Sequence, residues 1–299
     1  MNGFIWFWAL IAIGSLCAIW GIGIERYLFK VRYDSVKALP RGAKTIRVLH
    51  ISDFHLAPWQ KRKQAFIKNL ISLKPDLVVN TGDNLGHRDA IDSLLGCIEP
   101  LFDVAGVFVN GSNDYHSPTF RNPLSYLFKS SEPKHHGSID TKKMTDAFEK
   151  RGWLNLNNQS GSLNVEGLPI GFLGLDDAHD GLANPKTLPK QSGQVGLAQF
   201  TVGVTHAPYL AMIGGLTVEG AKVIFAGHTH GGQVCLPFKG AIVTNCDLPT
   251  KFAKGLSAWE FGGKKSWLSI CAGLGTSIFA PVRFFCAPEV RLVTLLAQD

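Results

Sequence analysis

The chain reads Lys222-Val223-Ile224-Phe225-Ala226-Gly227-His228-Thr229-His230-Gly231-Gly232 where an apolar run leads into two closely spaced histidines. The apolar run is typical of a buried β-strand. Because side chains alternate between the two faces of an extended chain, we expect His228 and His230 to project to the same side and to bind one small object together. Imidazole is a common metal ligand near neutral pH, and the neighbouring glycines let backbone and substrate approach closely. A pair of surface histidines is the alternative interpretation of this motif alone.

Other apolar runs of the chain also end at potential metal ligands. These runs, each with the polar residues that follow it, are 46–51 (Asp53, His55), 76–80 (Asp83), 106–110 (Asn113), 170–175 (Asp177, His179) and 200–204 (His206). In α/β sheets, ligands bind beyond the carboxyl ends of the strands, so residues far apart in sequence can meet there. Any one of these residues could instead be a turn residue, a helix cap or a buried histidine. Six strand ends that behave alike favour one shared metal site.

Amphipathic stretches separate several of these apolar runs. Residues 61–74, 89–98 and 140–151 are predicted to be helices, the last of them capped by Asp140 or Thr141. The alternation of strands and helices predicts a single α/β domain over residues 45–299. Residues 115–139 are polar, contain proline and lack a period, so they are predicted to form a long functional loop or lid.

The N-terminal region is apolar and uncharged over residues 4–24, and it carries three tryptophans. At 1.5 Å per residue, a helix of this length crosses a hydrocarbon core of about 30 Å. A cleaved signal peptide is the alternative, but no lysine or arginine precedes the run and no convincing cleavage site follows it. We therefore predict one transmembrane anchor over residues 1–24.

Basic residues are concentrated directly after this apolar run. Residues 25–47 contain seven lysines and arginines against two acidic residues, which accounts for most of the net charge of +7. The remainder is close to balanced, which argues against a nucleic-acid partner. Because basic residues beside a membrane segment tend to stay in the cytoplasm, we predict a basic linker over 25–44 and a cytoplasmic catalytic domain on a single-pass cell-membrane protein. The six cysteines form no Cys-x-x-Cys pair and are expected to be reduced and mostly buried.

Five short motifs resemble, in the right order, the blocks of the calcineurin-like metallophosphoesterase superfamily: Asp53-Phe54-His55, Gly82-Asp83, Gly111-Ser112-Asn113-Asp114, Thr205-His206 and Gly227-His228-Thr229-His230. The chain is similar to the membrane-anchored bacterial branch that includes the YkuE-type enzymes, through Gly231-Gly232-Gln233 and Arg283-Phe284 with Pro288-Glu289-Val290. The resemblance covers residues 46–296. It implies a sandwich of two mixed β-sheets flanked by helices. It also implies a hydrolase of phosphoric esters or anhydrides with two divalent metal ions, which could be Mn, Fe, Zn or Co.

The resemblance further implies a set of metal ligands. These are Asp53, His55 and His230 at the first ion, His206 and His228 at the second, and Asp83 between the two. A shared carboxylate offsets the repulsion between two dications about 3.5–4 Å apart, and the pKa of the bridging water falls until hydroxide is available near neutral pH.

The third motif departs from the family pattern Gly-Asn-His-Asp/Glu. Either Ser112 takes the place of the asparagine ligand, or a local backbone shift leaves Asn113 as the ligand, whose amide oxygen suits a hard cation better. The usual catalytic histidine is absent in both alignments. His116 or His87 is then a candidate proton donor, although either could be a solvated loop histidine. Asn113 and Asp114 complete the expected catalytic residues.

The expected function combines the anchor, the basic residues and the resemblance. We expect a membrane-anchored phosphodiesterase or pyrophosphatase that acts on a phosphorylated or nucleotide-linked lipid, similar to UDP-diacylglucosamine hydrolases. Asn84, Asp177 and His179 are the expected substrate contacts, on position alone. The alternatives are a general nucleotide phosphodiesterase or phosphatase, and a membrane protein that binds metal or phosphate without turnover. Because the catalytic histidine is absent, diesters with good leaving groups should be cleaved best.

Overall fold

The strands form two six-stranded sheets and one short hairpin in the computed structural model, which describes residues 2–117, 139–196, 198–276 and 279–299. The first sheet contains, in spatial order, β1 (Lys30–Leu39), β14 (Glu289–Ala297), β2 (Ile46–Ile51), β3 (Leu77–Asn80), β4 (Gly106–Phe108) and β5 (Leu154–Asn155). The second contains β12 (Gly255–Phe261), β13 (Lys264–Ile270), β9 (Val223–Ala226), β8 (Phe200–Val204), β7 (Leu168–Gly174) and β6 (Ser160–Val165). The hairpin pairs β10 (Cys235–Leu236) with β11 (Gly240–Ala241).

Both sheets are mixed. In the first sheet β2, β3, β4 and β5 run parallel, and β14 is antiparallel to β2. In the second sheet β7, β8, β9 and β13 run parallel, with antiparallel strands β6 and β12 at the two edges. Parallel strands place their carboxyl ends at one edge of a sheet, and most of the predicted ligand motifs follow such ends.

The two sheets face each other across a buried apolar core. Val48 and Val79 of the first sheet belong to the same buried cluster as Val202 and Phe225 of the second. Leu49, the neighbour of Val48, belongs instead to the cluster between the first sheet and its helices. Strand side chains alternate between faces, so β2 needs apolar residues on both, which explains the adjacent apolar residues Val48 and Leu49.

Helices cover the outer faces of both sheets. Against the first sheet lie α2 (Lys61–Lys68), α3 (Ile91–Ile98) and α5 (Thr141–Lys150), and against the second lie α6 (Leu188–Gln194) and α7 (Leu210–Val218). The short α4 (Ser112–Tyr115) follows β4. The predicted sandwich of two mixed sheets flanked by helices is confirmed.

The three predicted helices are present with shorter bounds. After α2 the chain tightens into a 3₁₀ turn at Asn69–Leu73, because Pro75 prevents a longer helix. The predicted cap of α5 is present, since the Asp140 carboxylate accepts the N–H of Lys143 at 3.0 Å. The predicted loop at 115–139 falls largely on residues 118–138, which lie outside the described residues.

Residues 25–44 are more than the predicted linker. They contain β1, which pairs in parallel with β14, so the sheet begins at residue 30 and not at residue 45. Val36 and Leu39 of β1 are buried in the core between the sheets. Three basic residues of this segment, Lys30, Arg32 and Lys37, lie on this edge strand, a position where charges discourage pairing with other chains. The domain boundary predicted at residue 45 therefore moves to residue 30.

The apolar N-terminus is helical, as expected. Helix α1 (Asn2–Ala18) continues through a π-helical turn (Ile19–Ile24) and a 3₁₀ turn (Glu25–Tyr27). Within the described ranges, Gly3–Tyr27 is the one helix long and apolar enough to cross a membrane, with a mean hydropathy of 2.1 in its most apolar window. Its large apolar side chains, among them Phe4 and Trp6, are exposed.

Candidate metal centre

The carboxyl ends of four parallel strands meet between the two sheets. Asp53 and His55 follow β2, Asp83 follows β3, His206 follows β8, and His228 and His230 follow β9. Two groups of these side chains could each hold a cation. The first is Asp53, His55 and His230, the second is Asp53, Asp83 and His206, and within each group the ligand atoms lie within 4.8 Å of one another.

The Asp83 carboxylate lies between the histidines of the two groups. Its Oδ2 is 3.4 Å from Nε2 of His55 and 3.5 Å from Nε2 of His206. The Nε2 atoms of His55 and His230 are 3.1 Å apart. Imidazole nitrogens and carboxylate oxygens gathered this closely suit Mn, Fe, Zn or Co, and the position of Asp83 suits a carboxylate shared by two ions.

Hydrogen bonding fixes which nitrogen of His206 can bind a cation. Its Nδ1 lies 2.6 Å from the carbonyl oxygen of Thr81, which can only accept, so Nδ1 carries the proton. Nε2 is therefore the nitrogen that can bind a cation, which would replace the second proton that a charged His206 carries there. It is buried and has no hydrogen-bond partner among the described residues. A buried ring nitrogen without a hydrogen-bond partner, beside two carboxylates, fits a metal ligand.

His228 and His230 do not face one common object, contrary to the expectation from strand geometry. A 3₁₀ turn begins at His230, so the period of two ends before the motif. The ring of His230 packs on His55, with centroids 4.9 Å apart, whereas the ring of His228 packs on His206 at 5.2 Å. The two histidines therefore belong to the two different halves of the centre.

The ring of His228 lies just outside the two groups. Its Nε2 is 3.2 Å from the carbonyl oxygen of Asn245, with the amide nitrogen of the same residue farther away at 3.4 Å. The nearer partner can only accept, so Nε2 carries the proton and Nδ1 retains the lone pair. The backbone N–H of His228 donates to the carboxylate of Asp53 at 3.0 Å, which ties this motif to the first strand end.

The backbone at the ligand positions is strained. Five predicted ligands have positive φ: Asp53 (47°), His55 (40°), Asp83 (54°), His228 (66°) and His230 (50°). Each left-handed non-glycine residue costs on the order of 1–3 kcal/mol, and such strain persists where the surrounding structure fixes the conformation. The two sheets supply that constraint, and the strain directs side chains from separate strands toward one point.

Two glycines permit the close approach of the motifs. A Cβ on Gly227 would lie 1.9 Å from Oγ of Ser52 and 2.4 Å from Oδ2 of Asp53. A Cβ on Gly111 would lie 2.3 Å from Oδ1 of Asp83. No side chain fits at either position without moving a predicted ligand.

Burial and mutual charge set the protonation of the cluster. Burial raises the pKa of Asp53 to about 6, lowers that of His55 to about 4, and lowers that of His230 well below its usual range. Burial also opposes the charges of Asp83 and His206, but their mutual attraction is stronger. The pKa of Asp83 is therefore well below, and that of His206 well above, its usual value. The cluster thus keeps negative charge for a cation to bind.

The sequence profile of the family described as calcineurin-like phosphoesterase matches residues 46–232. The chain belongs to this family. It is 26% identical over 307 residues to the uncharacterized metallophosphoesterase YkuE of Bacillus subtilis (strain 168), covering 97% of this chain and 94% of that protein. It is 25% identical over 337 residues to the UDP-2,3-diacylglucosamine pyrophosphatase LpxG of Chlamydia muridarum (strain MoPn / Nigg), covering 97% and 96%. A solved dimetal phosphatase from Danio rerio aligns at 11% identity and a TM-score of 0.42, over 77% of this chain and 88% of that one.

As a member of this family, the chain is a phosphoester hydrolase. Calcineurin-like phosphoesterases typically bind two divalent metal ions, and the residues of the cluster fit such a pair. The buried Nε2 of His206, which has no hydrogen-bond partner among the described residues, and the shared position of Asp83 carry that fit.

The third motif of this phosphoesterase contacts the central carboxylate through Asn113. The backbone N–H of Asn113 donates to Oδ1 of Asp83 at 2.8 Å, and the Asn113 amide donates to Oδ2 at 2.8 Å. No corresponding bond from Ser112 to Asp83 occurs in the described part of the chain. The contacts favour Asn113 over Ser112 as the residue in the ligand position, and its ligand and catalytic roles stay predictions.

Asp114 connects the phosphoesterase motifs through its hydrogen bonds, and the catalytic role expected for it stays a prediction. Its buried carboxylate accepts the N–H groups of Gly111 (3.1 Å), Asn84 (2.8 Å) and Leu85 (3.2 Å). Burial, and then the charge of Asp83, raise the pKa of Asp114 to about 7, while these bonds lower it. The side chain of Asn84 is buried and donates to Asp114 at 3.2 Å, so Asn84 helps to position Asp114, and its expected contact with substrate stays a prediction.

The two candidate proton donors lie outside the metal-ligand groups. His87 accepts the N–H of Asp89 at 3.2 Å and packs on Trp59, with ring centroids 5.2 Å apart. Nε2 of His116 lies 3.7 Å from Oδ2 of Asp180. The role of either histidine as proton donor stays a prediction.

The loop after β7 combines one buried and one more accessible side chain. Asp177 is buried and accepts the N–H groups of His179 at 3.2 Å and Asp180 at 3.0 Å, so it shapes the loop. The substrate contact expected for Asp177 stays a prediction. The ring of His179 lies 4.8 Å from that of His228, and its Nδ1 lies 3.2 Å from the hydroxyl of Tyr209. Tyr209 is thus a site residue that sequence analysis missed, although it closely follows the His206 motif.

A chain of buried polar groups supports Asp53 from behind. It runs from Ser269 to His50 (3.2 Å), Thr81 (3.1 Å), Ser52 (2.7 Å) and Asp53 (2.5 Å). Burial lowers the pKa of His50 well below its usual value, so His50 is neutral in this chain. Such supporting bonds orient metal ligands. Sequence analysis missed them because His50 lies inside an apolar strand.

Arg283 fixes the turn that carries His230. Its guanidinium is fully buried and donates to the carbonyl oxygens of His230 at 2.7 Å, Ala272 at 2.7 Å and Gly275 at 2.6 Å. Its Nη2 also lies 3.2 Å from Nδ1 of His230. In the sequence, Arg283 is only part of the resemblance; in the structure, its hydrogen bonds position the turn that carries the predicted ligand His230.

Lys63 supports the motif between the first two ligands. Its ammonium group is buried and donates to the carbonyl oxygen of Phe54 at 2.6 Å, between Asp53 and His55. Burial, and next the charge of Arg283, lower the pKa of Lys63 to about 7. Sequence analysis assigned Lys63 only to a helix, because its spacing gives no sign of burial.

Proposed function

We propose that this phosphoesterase is anchored in a membrane by its N-terminal helix and hydrolyses a phosphodiester or pyrophosphate bond of a phosphorylated or nucleotide-linked lipid. One observation carries the proposal: the end of the helix and the candidate metal centre share Arg283. The backbone N–H of Arg283 donates to the carbonyl oxygen of Gly21 at 3.1 Å, and its guanidinium donates to the carbonyl oxygen of His230 at 2.7 Å. A bilayer around the helix would therefore bring headgroup phosphates close to the metal ligands.

Buried hydrogen bonds fix the helix end to the domain. The carboxylate of Glu25 accepts the N–H groups of Phe285 at 2.9 Å and Cys286 at 2.6 Å, and the indole N–H of Trp20 at 2.7 Å. Hydrogen bonds to a charged partner contribute about 1.5–3 kcal/mol each when buried. The anchor is thus joined rigidly to the loop at 281–286, which favours a catalytic domain held at the membrane surface.

Two further features support the lipid substrate and the orientation. The relative LpxG, similar over nearly the whole chain, is by its name a pyrophosphatase of a diacylated UDP-sugar. Arg26, Lys30 and Arg32 follow the helix directly, and basic residues in this position favour a cytoplasmic domain.

When bound, two divalent cations would supply an activated water and neutralise charge on the phosphate oxygens. The proposed ligands are Asp53, His55 and His230 for one ion, His206, His228 and Asn113 for the other, and Asp83 for both. His179 and Tyr209 would contact the substrate beside His228. Because the third motif lacks the usual histidine, proton donation to the leaving oxygen falls to a loop group or water. Diesters and anhydrides with good leaving groups are then the favoured substrates.

The test is hydrolysis by the full chain in lipid nanodiscs with added Mn²⁺. A UDP-linked diacylglucosamine, a soluble aryl phosphodiester and an alkyl phosphate monoester are compared, with Asp83→Asn as the control. We expect turnover of the lipid and the aryl diester, little turnover of the monoester, and loss of both activities in Asp83→Asn. Turnover of the soluble aryl diester with no turnover of the UDP-linked lipid would reject the lipid substrate. Metal binding without Asp83-dependent turnover would reject catalysis.

A further inference from the structure

Four large apolar side chains are exposed close to the metal centre. Leu236 and Phe238 lie on the hairpin formed by β10 and β11, Ile242 directly follows β11, and Phe285 lies in the loop at 281–286. Phe238 is fully exposed, and Phe285 is 55% exposed. These four residues are called the apolar rim below.

Backbone hydrogen bonds make the apolar rim continuous with the end of the N-terminal helix. The N–H of Cys235, at the start of the hairpin, donates to the carbonyl oxygen of Phe284 at 2.8 Å. The N–H of the next residue, Phe285, donates to the carboxylate of Glu25 at 2.9 Å. The hairpin, the loop and the helix end therefore lie side by side as one surface.

The same hairpin is tied to the metal centre. It begins shortly after His230, and Sγ of Cys235 lies 3.3 Å from the carbonyl oxygen of Gly231. A Cβ on Gly232 would lie 2.5 Å from Cβ of Ala241, so the two chain segments are in close contact. Whatever covers the apolar rim is thus adjacent to the turn that carries a predicted metal ligand.

Two residues of the apolar rim are held in an unfavourable conformation. Phe238 and Phe285 have φ values of 64° and 50°, in the left-handed region that bulky residues rarely adopt. The cost is not offset by burial within the chain, because both side chains are exposed. Burial of these rings in an apolar medium outside the protein would offset it.

Charged and aromatic groups beside the apolar rim indicate a lipid surface as that medium. Lys239 follows Phe238 at the exposed tip of the hairpin. At the helix end, the guanidinium of Arg26 stacks on Tyr27, 4.5 Å from the ring centroid, and Trp20 donates to Glu25. Aromatic residues with a polar atom, together with lysine and arginine, are typical of the headgroup layer of a bilayer.

We propose that the apolar rim inserts into the same bilayer that holds the N-terminal helix, so that the metal centre faces the lipid headgroups. The inference rests on the membrane anchoring proposed above and adds a second, shallow contact with the bilayer. A lipid phosphate could then reach the metal ligands without its acyl chains leaving the membrane.

The experiment places a fluorescent label on the hairpin of the full chain. In a Cys17→Ser background, Phe238→Cys is labelled with a nitrobenzoxadiazole probe and reconstituted into vesicles of phosphatidylethanolamine and phosphatidylglycerol with nitroxide-labelled acyl chains. The matched control is Phe261→Cys, because Phe261 is also exposed but lies at the turn between β12 and β13, at the end of the second sheet away from the ligands. The Cys17→Ser chain gives the background of the remaining native cysteines.

We expect the label at position 238 to shift to shorter emission wavelength and to be quenched several-fold more than the label at position 261. Equal quenching at the two positions would overturn the inference. In the chain without substitutions, a label on native Cys17 measures separately whether the N-terminal helix lies in the bilayer. Quenching at Cys17 without quenching at position 238 rejects the apolar rim alone, and no quenching at either position rejects the anchor as well. Hydrolysis of a soluble aryl phosphodiester checks that each variant is folded, and Lys239→Cys replaces Phe238→Cys if that variant is inactive.

Discussion

Replacement of Arg283 by methionine should weaken both the fold and the metal centre. The guanidinium donates to four carbonyl oxygens, those of His230 (2.7 Å), Ala272 (2.7 Å), Gly273 (3.2 Å) and Gly275 (2.6 Å). Such bonds contribute about 1.5–3 kcal/mol each, but local relaxation and water reduce the sum to roughly 3–5 kcal/mol, the upper range for single substitutions. At roughly 2–4 °C per kcal/mol for a domain of this size, the melting temperature should fall by roughly 10 °C.

The same substitution should lower the affinity for Mn²⁺ by about 10- to 100-fold, because His230 loses the groups that fix its turn. Thermal unfolding followed by circular dichroism and Mn²⁺ titration calorimetry, both on the full chain in detergent, measure the two effects. Arg283→Lys keeps the charge but not the planar fork, so its melting temperature and Mn²⁺ affinity should lie between those of the wild type and Arg283→Met. Arg151→Met, at a half-exposed position after α5, should match the wild type. An Arg283→Met chain with wild-type melting temperature and Mn²⁺ affinity would refute the positioning role.

Three other substitutions have distinct expected outcomes. Because burial lowers the pKa of Lys63 from 10.5 to about 7, the unfolded chain binds the extra proton between these values. The stability of the wild type relative to Lys63→Met should therefore rise with pH across that window, and a flat difference in urea unfolding would contradict this. Asp114→Ala leaves three buried backbone N–H groups without their acceptor and should lower the free energy of unfolding by roughly 3 kcal/mol in the same assay. Asp114→Asn keeps an acceptor oxygen and should lower it less. Equal losses of stability in the two variants would argue against these hydrogen bonds. Phe238→Asp should raise KM several-fold for a substrate in vesicles and leave kcat for a soluble aryl diester unchanged, and an unchanged vesicle KM would argue against membrane contact.

Much of the architecture could be predicted because the relevant signals are local. Strands β2, β3, β8 and β9 are short apolar runs with polar ends, and each is flanked by turns or helices. The rule that ligands gather at the carboxyl ends of parallel strands then predicts where Asp53, Asp83 and His206 meet, and their ligand atoms do lie together. The predicted class of fold is confirmed for the same reason.

The remaining features depend on partners distant in sequence. The charged strand β1 resembles a linker until it is paired with β14 at the other end of the chain. The left-handed turns at His228 and His230 are imposed by packing between sheets, so period-two reasoning fails there. Asp114 has the residue type of a catalytic acid, and only its three backbone donors reveal a positioning role.

Electron paramagnetic resonance of the Mn²⁺-loaded full chain tests most directly whether the strand ends hold a pair of cations. With Asp83 between the two groups of ligands, the wild type should bind two Mn²⁺ ions per chain and give the spectrum of an exchange-coupled pair. Asp83→Asn should lose the coupling. A wild-type spectrum of magnetically isolated ions, at one Mn²⁺ per chain or fewer, would contradict the two-metal centre.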